Sequence, residues 1–148
     1  MSVRVVNEAD GRWIRLVMDA RPGNLLSLEM VRSLDEALDA VAARRGLRWL
    51  TVEGTGTDFS FGARIQEHLP EPMRTVLPAT HALFKRWLVV PVPTAAIVHG
   101  RCLGGGFELA LESLDLRRSG IELLSVRTTA DGGEAATVFG PDQKLSHF

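Results

Sequence analysis

Hydrophobic positions form two kinds of pattern along the chain: short runs rich in β-branched and apolar residues predict strands, and apolar residues spaced by three and four predict helices. Residues 3–7 and 12–18 are rich in β-branched and other apolar residues, and residues 8–11 join them through an Asp-Gly pair that favours a tight turn. These segments predict a β-hairpin at the start of the chain.

A helical pattern begins after the Pro-Gly break at 22–23. Apolar residues then recur at spacings of three and four, as on one buried face of a helix: Leu28, Val31, Leu34, Leu38 and Val41. Ser27 is suited to cap the start of this helix, and Gly46 is suited to end it. Residues 47–53 predict a buried strand directly after the helix.

Three prolines mark the middle of the chain. Pro70, Pro72 and Pro78 remove backbone donors, so the stretch that contains them is predicted to be a loop. Residues 79–88 carry apolar side chains at helical spacing and predict a helix with Pro78 at its first position. Residues 94–98 predict a short buried strand.

A glycine-rich turn follows this strand and opens a last predicted helix. The apolar face of that helix is formed by Phe107, Ala110, Leu111 and Leu114. Gly104, Gly105 and Gly106 let a ligand approach the backbone, and the unpaired N–H groups of a first helical turn stabilise negative charge. The alternative is that the glycines only permit a tight turn and that Glu108 is a solvated acid. Strands alternating with helices predict an α/β fold.

Composition and charge narrow the classes of function. The chain has 148 residues, of which 45% are hydrophobic and 24% are charged, a globular composition that excludes a disordered chain. Its 17 basic and 18 acidic residues offer no electrostatic basis for binding nucleic acid or an anionic membrane. A single cysteine, Cys102, and the absence of a long apolar segment or a signal-peptide pattern predict a cytoplasmic protein.

Several common site motifs are absent from the sequence. Residues 54–59 approach the dinucleotide-binding glycine pattern but lack its third glycine and the helix that follows it. The sequence contains neither a phosphate-binding loop that ends in Gly-Lys nor a Gly-x-Ser-x-Gly nucleophile elbow. The histidines are scattered and Cys102 has no cysteine partner, so no metal site is expected.

Two separated segments resemble a known family. Residues 58–63 (Asp-Phe-Ser-Phe-Gly-Ala) and 99–110 (His-Gly-Arg-Cys-Leu-Gly-Gly-Gly-Phe-Glu-Leu-Ala) resemble the paired signature of the crotonase (enoyl-CoA hydratase/isomerase) superfamily, and residues 22–26 resemble its opening. Residues 67–70 and 102–106 narrow the resemblance to members that hydrate cyclohexa-1,5-dienecarbonyl-CoA in aromatic degradation. The resemblance implies an α/β, crotonase-like (ClpP/crotonase) spiral of ββα units, present here as its N-terminal part only.

The resemblance also implies roles for individual residues. The backbone amides of Ala63 and Gly105 are expected to hold the thioester oxygen of an acyl-CoA, and Glu108 is expected to be one of two carboxylates that position and deprotonate water. Glu108 is accordingly expected to face the cleft, whereas Glu112 and Asp115 are expected to face solvent.

Further residues are expected beside the substrate and its coenzyme A: Gly62, Arg64, Ile65 and Gly104. Arg64 stands where many family members carry an acidic residue, so its role stays open. The expected partner is an acyl-CoA thioester, with coenzyme A as part of the substrate and no separate cofactor. The family implies assembly as a trimer or hexamer.

The resemblance extends over residues 1–117 and ends there. Family members continue into a loop whose Pro-Glu pair supplies the second carboxylate, but Thr128 and Thr129 stand at that distance here. Residues 118–148 are therefore interpreted as the divergent tail of a truncated chain, with a shifted reading frame as one hypothesis for its origin.

Three functions stay open at this point. The first is an acyl-CoA hydratase that adds water to a conjugated enoyl- or dienoyl-CoA thioester, with cyclohexa-1,5-diene-1-carbonyl-CoA as the expected substrate. The second is a catalytically weak or inactive chain that only binds acyl-CoA or a homologous subunit. The third, an interaction domain without a ligand, leaves the pairing of the two glycine motifs unexplained. The absence of a matched second carboxylate is the feature that distinguishes the first function from the second.

Overall fold

A four-stranded mixed sheet forms the centre of the structure, a computed structural model that describes residues 2–113, 123–128 and 134–139. The strands lie in chain order across the sheet and are β1 (Val3–Glu8), β2 (Trp13–Met18), β3 (Trp49–Gly54) and β4 (Thr94–Ile97). β1 and β2 pair antiparallel, which confirms the predicted hairpin. β3 runs parallel to β2, and β4 runs parallel to β3.

Each parallel pair of strands is joined through a helix, as the long crossover of parallel strands requires. α1 (Leu28–Ala42) joins β2 to β3, α2 (Pro70–Leu88) joins β3 to β4, and α3 (Gly105–Glu112) follows β4. The hydroxyl of Ser27 accepts a hydrogen bond from the Met30 N–H at 3.3 Å, which confirms the predicted cap of α1.

The core lies between one face of the sheet and the two long helices. Ile14, Leu16 and Met18 alternate along β2 and are fully buried. They pack with buried side chains of α1, β3 and α2, which include Leu34, Leu50, Val52, Leu83 and Trp87. The hydrophobic period of α1 correctly indicated its buried face, because Val31, Leu34, Leu38 and Val41 lie in this core. Leu28, the first position of the predicted stripe, is only partly buried and lies outside this core.

The predicted loop around the prolines is wrong, because α2 begins at Pro70 and runs through all three of them. Pro70 and Pro72 lie in the first turn, where backbone N–H groups have no partner within the helix, so they remove no bond. Pro78 lies inside the helix rather than at its first position and does cost a donor. The helix persists through Pro78 because Leu83 and Trp87 anchor its second half in the core.

The predicted apolar face of α3 is displaced by about one position along the chain. The helix buries Gly106, Leu109 and Ala110, whereas Phe107 is 42% exposed and Leu111 is 49% exposed. The displacement arises because Gly106 is the point of closest approach to the neighbouring loop, and that contact sets the rotation of the helix. The fourth residue of the predicted face, Leu114, lies outside the described residues.

A second, separate sheet is described beyond residue 113. Its two strands are β5 (Leu123–Thr128) and β6 (Glu134–Phe139), which pair antiparallel. The predicted boundary at 117, and the remainder of the predicted divergent tail, lie outside the described residues.

Candidate active site

Three loops meet at one edge of the central sheet. They follow the carboxyl ends of the three parallel strands: residues 19–27 after β2, 55–64 after β3 and 98–104 after β4. The carboxyl ends of parallel strands lie at the same edge of a sheet, where α/β proteins commonly bind ligands. Residues 58–63 and 99–110, which carry the resemblance, are thereby brought together.

Backbone hydrogen bonds join the first loop to the second. The Phe61 N–H donates to the Gly23 carbonyl at 2.8 Å, and the Leu26 N–H donates to the Gly62 carbonyl at 2.9 Å. Leu26 and Ala63 form an isolated parallel bridge at this point. The start of α1 is therefore held directly against the Gly-Ala segment.

The second loop is joined to the third in the same way. The Ser60 N–H donates to the Arg101 carbonyl at 3.1 Å, and the Leu103 N–H donates to the Ser60 carbonyl at 3.0 Å. The Phe59 N–H donates to the His99 carbonyl at 2.8 Å. These bonds extend the β3–β4 pairing beyond the strands and bring the two glycine-containing motifs side by side.

Glycine is required where these loops touch. Gly62 has a φ of +84°, and a β-carbon on it would lie 2.5 Å from the carbonyl oxygen of Leu103. A β-carbon on Gly106 would lie 2.5 Å from the β-carbon of Ser60. Any larger residue at either position would force the loops apart, because contacts this short do not occur between real β-carbons and neighbouring atoms.

Two backbone donors lie next to each other in this arrangement. Among the described residues, neither the Ala63 N–H nor the Gly105 N–H donates a hydrogen bond. Gly105 is the first residue of α3, whose N–H has no partner within the helix. The ideal β-carbon position of Gly105 is 3.9 Å from the Ala63 nitrogen, so both N–H groups border the same small space.

A cavity of about 440 Å³ opens in front of these donors. Its lining includes Ala63, Gly104, Gly105 and Glu108, all four of which the sequence had singled out. Arg64 also lines the cavity, so five of the predicted residues lie around one opening.

Two predicted contact residues stand apart from this lining. Gly62 is buried and does not line the cavity, and Ile65 is 82% exposed at the start of a short 3-10 turn, Ile65–His68.

Of the acids on α3, Glu108 lies at the cavity as predicted, whereas Glu112 differs from the prediction. Glu108 is exposed and lines the cavity, whereas Glu112, expected to face solvent, is half-buried. Both also line a second cleft that faces His81 and Lys85 of α2, so successive turns of α3 present their acids to the same neighbour. Asp115 lies outside the described residues.

A second acid, Glu67, lines the cavity from the 3-10 turn, although the sequence interpretation gave it no role in the site. Its Oε2 accepts a hydrogen bond from the Leu28 N–H at 3.0 Å. Leu28 is the first residue of α1, so this carboxylate binds the positive end of a helix dipole. Glu67 thereby fastens the segment after Ala63 to α1.

The far wall of the cavity is a stripe along α2 that the sequence interpretation missed because it assigned this segment to a loop. The stripe consists of Met73, Val76, Leu77 and Thr80. Spacings of three, one and three residues are those of a single helical face, and this period was the signal that could have revealed the helix.

The carboxylate of Asp58 braces the rim of the second loop. The Thr57 hydroxyl donates to it at 2.6 Å, and the Arg101 N–H donates at 2.9 Å. These two hydrogen bonds, followed by the charge of Arg101, hold the pKa of the Asp58 carboxyl below its usual value.

No helix in the described part of the chain is long and apolar enough to cross a membrane. Within those same residues, no group of three or more His, Cys, Asp or Glu side chains is arranged to hold a metal ion.

The fold is that of the crotonase class. An enoyl-CoA hydratase from Bacillus anthracis matches with a TM-score of 0.70 and 25% identity, over 78% of this chain and 46% of that structure. An enoyl-CoA hydratase/carnithine racemase from Magnetospirillum magneticum matches with a TM-score of 0.70 and 29% identity, over 78% and 45% of the two chains. The predicted α/β class and crotonase-like fold are confirmed.

The chain belongs to the enoyl-CoA hydratase/isomerase family, whose model matches residues 13–116. A cyclohexa-1,5-dienecarbonyl-CoA hydratase of Thauera aromatica is 33% identical over 108 residues, which cover 73% of this chain and 42% of the relative. A probable enoyl-CoA hydratase of Bacillus subtilis (strain 168) is 34% identical over 94 residues, 61% and 36% of the two chains. The chain thus spans less than half the length of these relatives.

Proposed function

We propose that the cavity binds an acyl-CoA thioester and that the chain contributes to adding water across its conjugated double bond. One observation carries the proposal: two adjacent backbone N–H groups, those of Ala63 and Gly105, open into a cavity that also holds the acid Glu108. A thioester carbonyl oxygen that accepts both donors would place the acyl group in front of that acid.

The chemistry of hydration fits this set of groups. Water adds through its oxygen to the β-carbon, a carboxylate takes a proton from the water, and the π electrons move to the thioester oxygen. The resulting enolate is held by the two N–H groups, each worth about 3–4 kcal/mol in comparable sites. Return of a proton to the α-carbon completes the addition, and Glu108 is the acid we assign to proton transfer.

The wall of α2 favours an apolar acyl group. Met73, Val76 and Leu77 supply the side chains of this wall. The hydroxyl of Thr80 donates to the Val76 carbonyl at 2.9 Å, so its polar atom is already satisfied within the helix. Because the Thauera aromatica relative is a cyclohexa-1,5-dienecarbonyl-CoA hydratase, we propose cyclohexa-1,5-diene-1-carbonyl-CoA as the substrate within this class.

The charged end of the substrate is proposed to leave the cavity past Arg64. This residue lines both the main cavity and a neighbouring polar pocket of about 300 Å³, whose lining also includes Arg21 and the two acids Asp19 and Glu29. Two guanidinium groups beside one pocket suit the phosphates of coenzyme A, which is part of the substrate. Gly104 lines the main cavity on this path, whereas substrate contacts of Gly62 and Ile65 stay predictions.

A second function, binding without turnover, is favoured by the hydrogen bond that the Glu67 carboxylate already accepts. This residue is the other acid that lines the cavity within the described residues, and it already accepts a hydrogen bond from the Leu28 N–H. Loss of one of two acid/base groups lowers the hydration rate by about 10²–10⁴-fold. A chain with Glu108 as its one free carboxylate in the cavity would therefore bind the thioester and hydrate it weakly.

The experiment uses the purified chain with crotonyl-CoA and with cyclohexa-1,5-diene-1-carbonyl-CoA. Calorimetry measures binding, and product formation measures hydration, for the wild type, Glu108→Gln and the matched helix variant Glu112→Gln. We expect both variants to bind and only Glu108→Gln to lose residual hydration. Absence of binding by the wild type would refute the proposed function. Binding without hydration in the wild type would establish the second function.

A further inference from the structure

Ser60 is the junction of the three loops that form the site, and it is fully buried. Its hydroxyl donates to the Asn24 carbonyl at 2.8 Å and accepts from the Gly62 N–H at 3.1 Å. Its backbone N–H and carbonyl bind Arg101 and Leu103, as described above. Every polar group of this one residue is therefore used, and together they bind all three loops of the site.

The hydroxyl of Ser60 helps to fix the direction of the first donor. Gly62 is held at its N–H by Ser60 and at its carbonyl by the Leu26 N–H, at 2.9 Å. The peptide that joins Gly62 to Ala63 is trans, so its N–H points away from its carbonyl. With the carbonyl turned toward Leu26, the Ala63 N–H is turned to the opposite side, where the cavity lies.

The same residue supports the second donor through packing. The carbonyl of Ser60 accepts from Leu103, two residues before Gly105, and the β-carbon of Ser60 abuts Gly106. The first turn of α3 therefore rests on Ser60. A shift of this side chain would move both N–H groups. The Ala63 N–H belongs to the loop that is hydrogen-bonded to the Ser60 hydroxyl, and the Gly105 N–H belongs to the helix that packs against Ser60.

We propose that Ser60 is a positioning residue for the thioester: its hydroxyl aligns the Ala63 N–H, and its side chain sets the spacing to the Gly105 N–H. This inference rests on the proposed function, because it assigns these donors to a thioester oxygen. Ser60 itself lies beneath the cavity and does not touch the substrate. Its contribution is to keep these two backbone N–H groups directed at one point.

The first test needs no ligand and compares Ser60→Ala with Ser113→Ala. Ser113 is also fully buried, and its hydroxyl donates to the Leu109 carbonyl at 2.6 Å, at the far end of α3. Amide hydrogen exchange is measured at Gly62 and at Leu16, a buried strand residue that reports global unfolding. We expect Ser60→Ala to accelerate exchange at Gly62 by roughly tenfold relative to Leu16, and Ser113→Ala to leave this ratio unchanged. An unchanged ratio in Ser60→Ala would overturn the proposal.

The second test measures the alignment of the donors on butyryl-CoA labelled with ¹³C at the thioester carbonyl. This saturated ligand cannot be hydrated, so the fall in its C=O stretching frequency on binding reports carbonyl polarisation alone. We expect the C=O stretching frequency to fall on binding to the wild type and to Ser113→Ala, and to change little on binding to Ser60→Ala. We also expect Ser60→Ala to reduce kcat for crotonyl-CoA about 10-fold to 100-fold and to leave KM little changed.

The outcomes of the second test separate the two proposals. No bound ligand in the wild type means that the proposed function fails, and the role of Ser60 toward a thioester fails with it. Binding with an equal frequency shift in the wild type and Ser60→Ala overturns the role of Ser60 and leaves the proposed function standing. Equal loss in both serine variants assigns the effect to general destabilisation and also overturns it.

Discussion

The cavity has two walls of different construction. The wall that carries Ala63 and Gly105 is made of backbone, held by hydrogen bonds between three loops and by glycines at the contact points. The opposite wall is made of side chains along α2, where Leu77 is 45% exposed and Val76 is 7% exposed. Backbone donors cannot be altered by substituting their own side chains, whereas the α2 wall can change residue by residue. The first wall therefore suits the constant chemistry of a thioester, and the second suits selection of the acyl group.

The largest expected effect on stability comes from a substitution at Gly62, in the wall that is made of backbone. Gly62→Ala combines a positive φ with a clash against the Leu103 carbonyl, and we expect a loss of about 2–5 kcal/mol in the free energy of unfolding. Gly56→Ala is the matched control, because Gly56 has the same φ of +84° but no atom within 4 Å of its β-carbon position. That control should lose only about 1–2 kcal/mol in urea unfolding. Equal losses would show that the loop contact is loose.

A second, slightly smaller effect is expected at Asn24, which holds the first loop to the second. Its side-chain nitrogen donates to the carbonyls of Thr55, Asp58 and Phe59 at 3.0–3.2 Å, and its oxygen accepts from the Ala20 N–H at 3.0 Å. Asn24→Asp keeps the shape but turns carboxylate oxygens toward these carbonyls. We expect a loss of about 2–4 kcal/mol in urea unfolding at neutral pH. A stability equal to that of the wild type would contradict this account.

The third prediction sharpens the comparison at the α2 wall. Leu77→Ala should change stability by less than about 1 kcal/mol, because the side chain is already half exposed. It should nevertheless weaken binding of butyryl-CoA by roughly 3-fold to 10-fold while leaving acetyl-CoA unaffected, as measured by calorimetry. Leu88→Ala, on the same helix but outside the cavity, is the control. If the two variants behave alike, α2 does not contact the acyl group.

The smallest effect concerns Asp58 and its dependence on pH. Its pKa is lower in the folded protein than in the unfolded chain, chiefly because of the Thr57 hydroxyl and then the Arg101 N–H. The resulting stability is present above pH about 4 and is lost as pH falls through the lower folded pKa. Asp58→Asn should therefore reduce stability at pH 6.5 and have less effect near pH 2. Urea unfolding at both values, with the exposed Asp19→Asn as control, measures this difference.

Local patterns were sufficient for the hairpin and for α1. The hairpin was indicated by two β-rich runs on either side of a tight-turn pair, and α1 by apolar residues spaced by three and four. Both signals act between neighbours in sequence, and Ser27 likewise forms its capping hydrogen bond within the first turn of α1. For the site, the resemblance of two separated motifs to a known family was sufficient to single out Ala63, Gly105 and Glu108. The local pattern by itself indicated only the N–H groups at the glycine-rich turn, which are free wherever such a turn opens a helix.

Other features depended on contacts between distant segments, which no local pattern contains. α2 forms across three prolines because Leu83 and Trp87 are buried against the core, and the rotation of α3 follows from the contact between Gly106 and Ser60. Glu67 gains its place only when the 3-10 turn meets the start of α1. The sequence by itself determined which amides and which acid were available. The tertiary structure alone decided that they share one cavity, since their proximity is created by hydrogen bonds between loops after three different strands.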